Sequence, residues 1–127
     1  MDIRLPTNAQ DPSFALVGCH RLDETDYCCT VELRSGAFQA TAEFWFDRVS
    51  LENFAHSVTE VQISLRGECR LEYRYEEPYI ALSGDGLGQI TVSGMLLDRS
   101  QQLKFQFTTD QTVLPQFAET LRTLVSL

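Results

Sequence analysis

The chain has 127 residues, of which 43% are hydrophobic and 22% are charged. That is the length and composition of one globular domain, which excludes disordered, collagen-like, low-complexity and coiled-coil classes. A count of 10 basic and 18 acidic residues gives a formal net charge of -8. This charge repels DNA and RNA, so direct nucleic-acid binding is not expected. It would speed encounter with a basic partner, but it is also explained by solubility alone.

The N-terminal segment 1–12, with Pro6 and Pro12, is expected to be irregular and to precede the elements of a single domain over 1–127. It has no apolar run of signal-peptide length, and no stretch of the chain approaches the ~18 to 20 apolar residues of a membrane span. We therefore expect a soluble, cytoplasmic protein. The chain has four cysteines, Cys19, Cys28, Cys29 and Cys69. They lie in strand-like runs and are interpreted as buried, reduced thiols.

Strand-like alternation dominates the first third of the chain. Residues 14–22 and 27–33 alternate around the acidic turn 23–26, which predicts a β-hairpin in which Val17 faces Val31. The predicted apolar side of this hairpin comprises Ala15, Val17, Cys19, Tyr27, Cys29, Val31 and Leu33. A third strand has Phe38, Ala40, Ala42, Phe44 and Phe46 on its apolar side and Gln39, Thr41, Glu43, Trp45 and Asp47 on its polar side.

The spacing then changes to three and four residues, which predicts an amphipathic helix with Ser50 as its N-cap and an end near Gly67. The residues that recur at this spacing, and so form the face predicted to pack against the rest of the protein, are Leu51, Phe54, Ala55, Val58, Gln62 and Leu65. In the next predicted strand Leu71, Tyr73 and Tyr75 alternate with Arg70, Glu72, Arg74 and Glu76. Further strands are predicted over 79–83, 89–98 and 103–107, and a second amphipathic helix begins near Leu114 with Pro115 in its first turn.

These elements predict an α+β fold of two layers. An antiparallel sheet of about six to seven strands would have both helices packed on its apolar face. Its other face would be open to solvent and available to a partner. That face would carry Thr30, Glu32, Arg34, Gln39, Thr41, Glu43, Trp45, Arg70, Glu72 and Arg74.

Catalytic and metal-binding patterns are weak in this sequence. His20 and His56 are the only histidines, no G-x-S-x-G motif occurs, and the cysteines lack the spacing of a zinc site. The glycine-rich segment 84–88 leads into a strand rather than a helix, so Asp85 is expected to stabilise a hairpin loop and not to bind phosphate. We expect no enzymatic activity, no cofactor and no metal.

Trp45 is the most informative candidate for binding. Alternation places it on the polar side of its strand beside Glu43 and Asp47, and tryptophan is enriched at the energetic centres of interfaces. The competing interpretation is that Trp45 packs beneath a loop or a long side chain. Burial of Trp45 in the core would contradict its role as an anchor.

Several segments together resemble the WapI family of immunity proteins. They are residues 51–54, Gly67, the Glu77-Pro78 step, the D-G-x-G segment within 84–94, and the F-x-F-x-x-D-Q-T segment 105–112. The resemblance spans roughly residues 44–122 and implies a bacterial cytosolic protein that binds and blocks a contact-dependent toxin, often a nuclease. It supplies no catalytic residues, and its motif residues look structural.

An acidic inhibitor of a basic nuclease would gain association rate from electrostatic steering. The predicted partner-binding residues are Glu43, Trp45 and Asp47, with Glu32 and Glu72 as neighbours. Two other functions stay open at this point. A module that binds a small ligand or peptide would have a concave pocket at Trp45, and an enzyme would have an ionisable side chain with a strongly shifted pKa in a cleft.

Overall fold

The structure is a computed structural model that describes residues 1–7, 11–73 and 77–127. The first sheet contains β1 (Ile3–Leu5), β2 (Ser13–Arg21), β3 (Asp26–Ser35) and β4 (Phe38–Asp47), and α1 (Arg48–Ser64) follows it. The second sheet contains β5 (Arg66–Glu72), β6 (Tyr79–Asp85), β7 (Gln89–Asp98) and β8 (Gln101–Asp110). A 3-10 turn (Gln111–Val113) then leads into α2 (Leu114–Ser126).

The predicted α+β class is confirmed, but the single sheet of about six to seven strands is wrong. Each sheet has four antiparallel strands that pair in chain order, so the same succession of four strands and a helix occurs twice. Alternation identifies which face of a strand is buried and not which strand lies beside it. The 17-residue α1 separates β4 from β5, and β5 pairs with β6 in a new sheet.

The N-terminal segment, expected to be irregular, contains the short strand β1. It pairs with β2, with Ile3 opposite Leu16 and Leu5 opposite Phe14. Ile3 and Leu5 are both buried. A three-residue strand is too short to show a convincing alternation in sequence, yet its two apolar side chains complete one edge of the core.

The predicted hairpin of β2 and β3 exists with a different register. Leu16, not Val17, lies opposite Val31, so Phe14 and Leu16 are buried in the core. Ala15 is buried as predicted, whereas Val17 is only half-buried. A bulge between Val17 and His20 shifts the pairing, and Gly18 lies inside it with φ 65°. A glycine inside a strand is the usual sequence sign of a bulge, because it adopts positive φ without strain.

The two sides of β4 are as predicted over most of its length. Ala42, Phe44 and Phe46 are buried, whereas Glu43 and Trp45 are exposed. Arg70 and Glu72, which were placed on the same open face, belong to the second sheet instead. Arg74, Tyr75 and Glu76 lie outside the described residues, and β5 ends at Glu72.

The predicted N-cap of α1 is wrong by three residues. Asp47 is the cap, and its carboxylate accepts a hydrogen bond from the Ser50 backbone N–H at 2.7 Å. Ser50 lies in the first turn, where its hydroxyl oxygen accepts from the Glu72 backbone N–H at 3.1 Å and so ties the helix to β5. The helix ends at Ser64, and Leu65 follows with φ 62°.

One core joins both sheets and both helices. Its apolar residues come from β1 to β8 and from one side of each helix. Phe54 of α1 meets Phe117 of α2 edge to face, with 6.2 Å between ring centroids, and the Arg122 guanidinium donates to the Thr59 hydroxyl at 2.9 Å. Each helix therefore buries part of its apolar face against the other helix as well as against a sheet.

The glycine-rich loop between β6 and β7 is held from several sides, as predicted for Asp85. Its carboxylate accepts from the backbone N–H groups of Leu87 and Gln89 at 2.7 and 3.1 Å. The Gly88 carbonyl oxygen accepts from the Gln111 N–H at 2.9 Å, which fastens the loop to the start of the 3-10 turn. The loop is thus a structural junction between the second sheet and the C-terminal helix.

Within the described ranges, neither helix is long and apolar enough to cross a membrane.

Candidate functional site

Trp45 lies near the end of β4 and is 46% exposed. Its neighbours Phe44 and Phe46 point into the core, so strict alternation directs the indole outward. Across the strand pair it faces Cys28 of β3. Trp45 is the only tryptophan of the chain, and it is not part of the core.

The indole borders a cleft of about 470 Å³ that lies between the two sheets. Three separate stretches of the chain form its walls: β4, the two ends of the connection from β5 to β6, and the turn from β7 to β8. The lining residues are Glu43, Phe44, Trp45, Tyr73, Pro78, Leu97, Asp98 and Arg99. Of these residues, the sequence identified Glu43 and Trp45 as candidates. It missed those from the second half of the chain, because they approach β4 only through the arrangement of the two sheets.

Tyr73 lines the cleft and is hydrogen-bonded to the first sheet. Its hydroxyl donates a hydrogen bond to the Asp26 carboxylate at 3.2 Å. Asp26 is the first residue of β3 and therefore belongs to the first sheet. This contact ties the residue that follows β5 to the first sheet.

The charged side chains of the cleft are Glu43, Asp98 and Arg99, and all three are exposed. Over residues 1–7, 11–73 and 77–127, none of the three forms an ion pair. Arg99 lies in the turn after β7 with φ 57°. Two carboxylates against one guanidinium leave the rim with net negative charge, and carboxylates beside aromatic rings suit a cationic group.

The remaining predicted partner-binding residues fall in different places. Glu32 is exposed on the same face of the first sheet as Glu43, since Glu32 pairs with Thr41 and Glu43 pairs with Thr30. Glu72 belongs to β5, where its carboxylate forms an ion pair with Arg70 at 2.9 Å. The structure therefore groups Glu32 with Glu43 and separates Glu72 from them.

Asp47, also predicted as a contact residue, lies with Glu72 at a second cleft, beside the start of α1. It is 7% exposed, and its carboxylate is engaged as the N-cap of α1. Alternation in the sequence places Asp47 on the polar side of β4, but it does not distinguish a side chain that is exposed to solvent from one that caps a helix. An aspartate that directly precedes a helical run is the signal that identifies the cap.

The cysteines are buried with one exception. Cys19, Cys29 and Cys69 are buried, whereas Cys28 is only half-buried. Burial raises the pKa of Cys69 to about 12, and a hydrogen bond with Cys19, together with burial, raises the pKa of Cys29. Desolvation, with a smaller contribution from the Glu43 carboxylate, raises the pKa of the Cys28 thiol.

The two histidines do not assemble a site with these thiols. His20 pairs with Cys28 across the hairpin and is exposed, and His56 lies 3.0 Å from the Glu60 carboxylate on the outer side of α1. Among the side chains that the structure describes, no group of three histidine, cysteine, aspartate or glutamate residues is placed to hold a metal ion.

Comparison with known proteins gives a family and a fold. The model of the family described as "Immunity protein WapI-like family" matches residues 6–127 of this chain. A search of curated proteins finds no match. Among solved structures, one described as crystal structures of the Trypanosoma brucei proteins MRP1/MRP2 is similar at a TM-score of 0.54 and 9% identity, covering 98% of this chain and 82% of the other. At that identity the likeness concerns the fold alone.

Proposed function

Because the chain belongs to the WapI-like family of immunity proteins, we propose that it acts by binding a cognate bacterial contact-dependent toxin and blocking it without catalysis of its own. We further propose that the toxin is a basic nuclease domain and that the two proteins meet in the cytoplasm. The net charge of -8 supports this pairing, since opposite charge accelerates association.

The observation that carries the proposal is the half-exposed Trp45 at the mouth of the cleft. A large aromatic side chain on a rigid strand loses little conformational freedom on binding and covers much area, as hot-spot residues do. Glu43 and Glu32 extend the contact surface along the first sheet with exposed carboxylates. We assign the partner-binding surface to Glu32, Glu43 and Trp45, with Asp98 added from the second sheet.

In this proposal the immunity protein competes with the nucleic acid for the toxin. A nuclease domain binds its substrate through cationic side chains, because phosphate contacts dominate nucleic-acid affinity. Carboxylates at Glu43 and Asp98 would face those cations while Trp45 packs on the apolar surface beside them. The result is occlusion of the active or substrate-binding surface.

The experiment is co-expression of the chain with the C-terminal domain of a toxin-like protein encoded beside it. We expect rescue of growth and recovery of a stable complex by pull-down. Trp45→Ala should weaken the complex at least tenfold, on the order of a hot-spot loss. Phe38→Ala is the matched control, since Phe38 is an aromatic residue of the same strand, 70% exposed and outside the cleft. Absence of rescue and complex, or equal losses for both variants, would refute the proposal.

A second candidate function rests on the size and the lining of the cleft. At about 470 Å³ it falls within the roughly 300 to 1,000 Å³ of small-ligand sites. A cleft beside α1 is of similar size, at about 480 Å³, so the aromatic residues Trp45 and Tyr73 are what favour the Trp45 cleft for a small ligand or a peptide. A thermal-shift screen of metabolites tests it, because a ligand of the native state raises the unfolding temperature. A hit that is lost in Trp45→Ala would favour this function over toxin binding.

A further inference from the structure

We propose that the Trp45 cleft is a receptor for an arginine side chain of the partner. The inference rests on the proposed function and specifies the chemical group that the partner inserts. The cleft offers two aromatic rings, Trp45 and Tyr73, together with the carboxylates of Glu43 and Asp98. It is the one described cleft lined by the tryptophan.

A guanidinium fits these walls better than an ammonium. Its planar face stacks on an aromatic ring while its N–H groups donate to carboxylates at the rim. The same chain already stacks a guanidinium in this way, since Arg70 lies with its Cζ atom 3.9 Å from the centroid of the Tyr79 ring. Tryptophan is the preferred ring for such contacts, and the hydroxyl of Tyr73 donates a hydrogen bond to Asp26.

The carboxylates of the cleft are available to an incoming cation. Glu43 and Asp98 are exposed and lack an ion pair over the ranges that the structure describes. Glu43 belongs to β4 of the first sheet and Asp98 ends β7 of the second, so both sheets contribute a carboxylate to the cleft. Arg99, at the rim of the cleft, should weaken the binding of a guanidinium, because its own positive charge repels an incoming cation.

The test uses the fluorescence of Trp45, which reports on the cleft without a label because the chain has one tryptophan. The intact protein is titrated with N-acetyl-arginine amide, and N-acetyl-citrulline amide serves as the neutral probe of nearly equal shape. We expect a saturable change with the arginine probe in the millimolar range, weakened by salt, and at least fivefold weaker binding of the citrulline probe. Equal responses to both probes, or no saturable response, would overturn the inference.

Charge variants of the cleft give a second, independent readout. Glu43→Gln and Asp98→Asn should each weaken binding of the arginine probe by roughly two- to fivefold, as expected for exposed ion pairs. Arg99→Gln should strengthen it by a similar factor. Glu119→Gln, at an exposed position of α2 outside the cleft, should change nothing. A loss of affinity for the arginine probe in Arg99→Gln would contradict the inference, since it would show that Arg99 assists binding instead of repelling the guanidinium.

The outcomes separate this inference from the proposed function. If the toxin binds and growth is rescued but the arginine probe is not discriminated from citrulline, the cleft is not an arginine receptor and the immunity function stands. If the arginine probe binds as expected but no toxin complex forms, the cleft is a cation site and the immunity function fails.

Discussion

Asp47 and Asp110 occupy equivalent places in the two halves of the fold. Each is the last residue of a fourth strand, and each accepts hydrogen bonds that cap the helical segment that follows. Asp47 accepts from the Ser50 N–H at 2.7 Å, and Asp110 accepts from the Thr112 N–H at 2.9 Å and from the Thr112 hydroxyl. One aspartate thus ends each sheet and caps the helical segment that follows, which is α1 in the first half and the 3-10 turn before α2 in the second.

Replacement of the first cap tests its contribution to stability. Asp47→Ala should lower the free energy of unfolding by about 1 kcal/mol, because it leaves a backbone donor of α1 without its acceptor. Asp47→Asn is the matched control and should keep most of the stability, since its amide oxygen also accepts. Urea denaturation measures both. Equal losses for the two variants would show that the carboxylate charge, rather than the cap geometry, is what matters.

The second cap predicts a dependence of stability on pH. Hydrogen bonds from the Thr112 hydroxyl and N–H hold the pKa of Asp110 below its ordinary value. A carboxylate with a depressed folded-state pKa stabilises the fold above its unfolded pKa, and this contribution is lost as the pH falls through the folded-state pKa. Stability should therefore decline in the acid range, below about pH 4.

Denaturation curves of the wild type and of Asp110→Asn at successively lower pH measure that decline. The variant should show a shallower loss, because the amide cannot titrate. Asp23, whose pKa is lowered by the Thr25 and Asp26 backbone N–H groups, contributes in the same direction and remains in the variant. Parallel curves for the wild type and Asp110→Asn would contradict the prediction.

A close approach of backbone segments explains why Gly84 is a glycine. A Cβ atom at this position would collide with the carbonyl group of Leu65, which is backbone and cannot rotate away. Gly84→Ala should destabilise the protein by about 1 to 3 kcal/mol through overpacking. Ser83→Ala, one position earlier on β6, is the control and should cost much less. A Gly84→Ala variant of native stability would show that α1 and β6 can separate without loss.

Thiol labelling distinguishes Cys28 from the other cysteines. Cys28 is half-buried whereas Cys19, Cys29 and Cys69 are buried, so one thiol should react with an alkylating reagent under native conditions. Because the pKa of Cys28 is raised, little of the reactive thiolate is present at neutral pH. The labelling rate should therefore increase as the pH is raised above neutral. Mass spectrometry counts the labels, and Cys28→Ser should abolish native labelling. Rapid modification of all four thiols would be inconsistent with this burial.

The same reaction reports on the partner. Because Cys28 lies opposite Trp45 across β3 and β4, a bound toxin domain should slow labelling of Cys28. The unfolded protein, in which all four thiols react, gives the reference. Unchanged labelling in a saturated complex would place the partner away from the Trp45 face.

The sequence predicts the helices, the buried and exposed sides of β4, and the loop that Asp85 stabilises, because periodicity and turn chemistry are local properties. It does not predict the register of β2, which depends on the bulge at Gly18, or the division into two sheets, which depends on strand pairing across the fold. Trp45 and Glu43 could be identified from alternation. Asp98 and Arg99 could not, because only the packing of the second sheet brings them to the cleft.

The connections around α1 determine how firmly the cleft is held. The helix begins directly after β4, and Leu65 is the single residue between its end and β5. Linkers this short give the two sheets little freedom to move apart, and the cleft walls come from both sheets. The proposed binding surface is therefore largely preorganised, so a partner should lose little free energy in ordering it. Among variants of this surface, differences in affinity should then arise mainly from the dissociation rate, because association requires no closing motion.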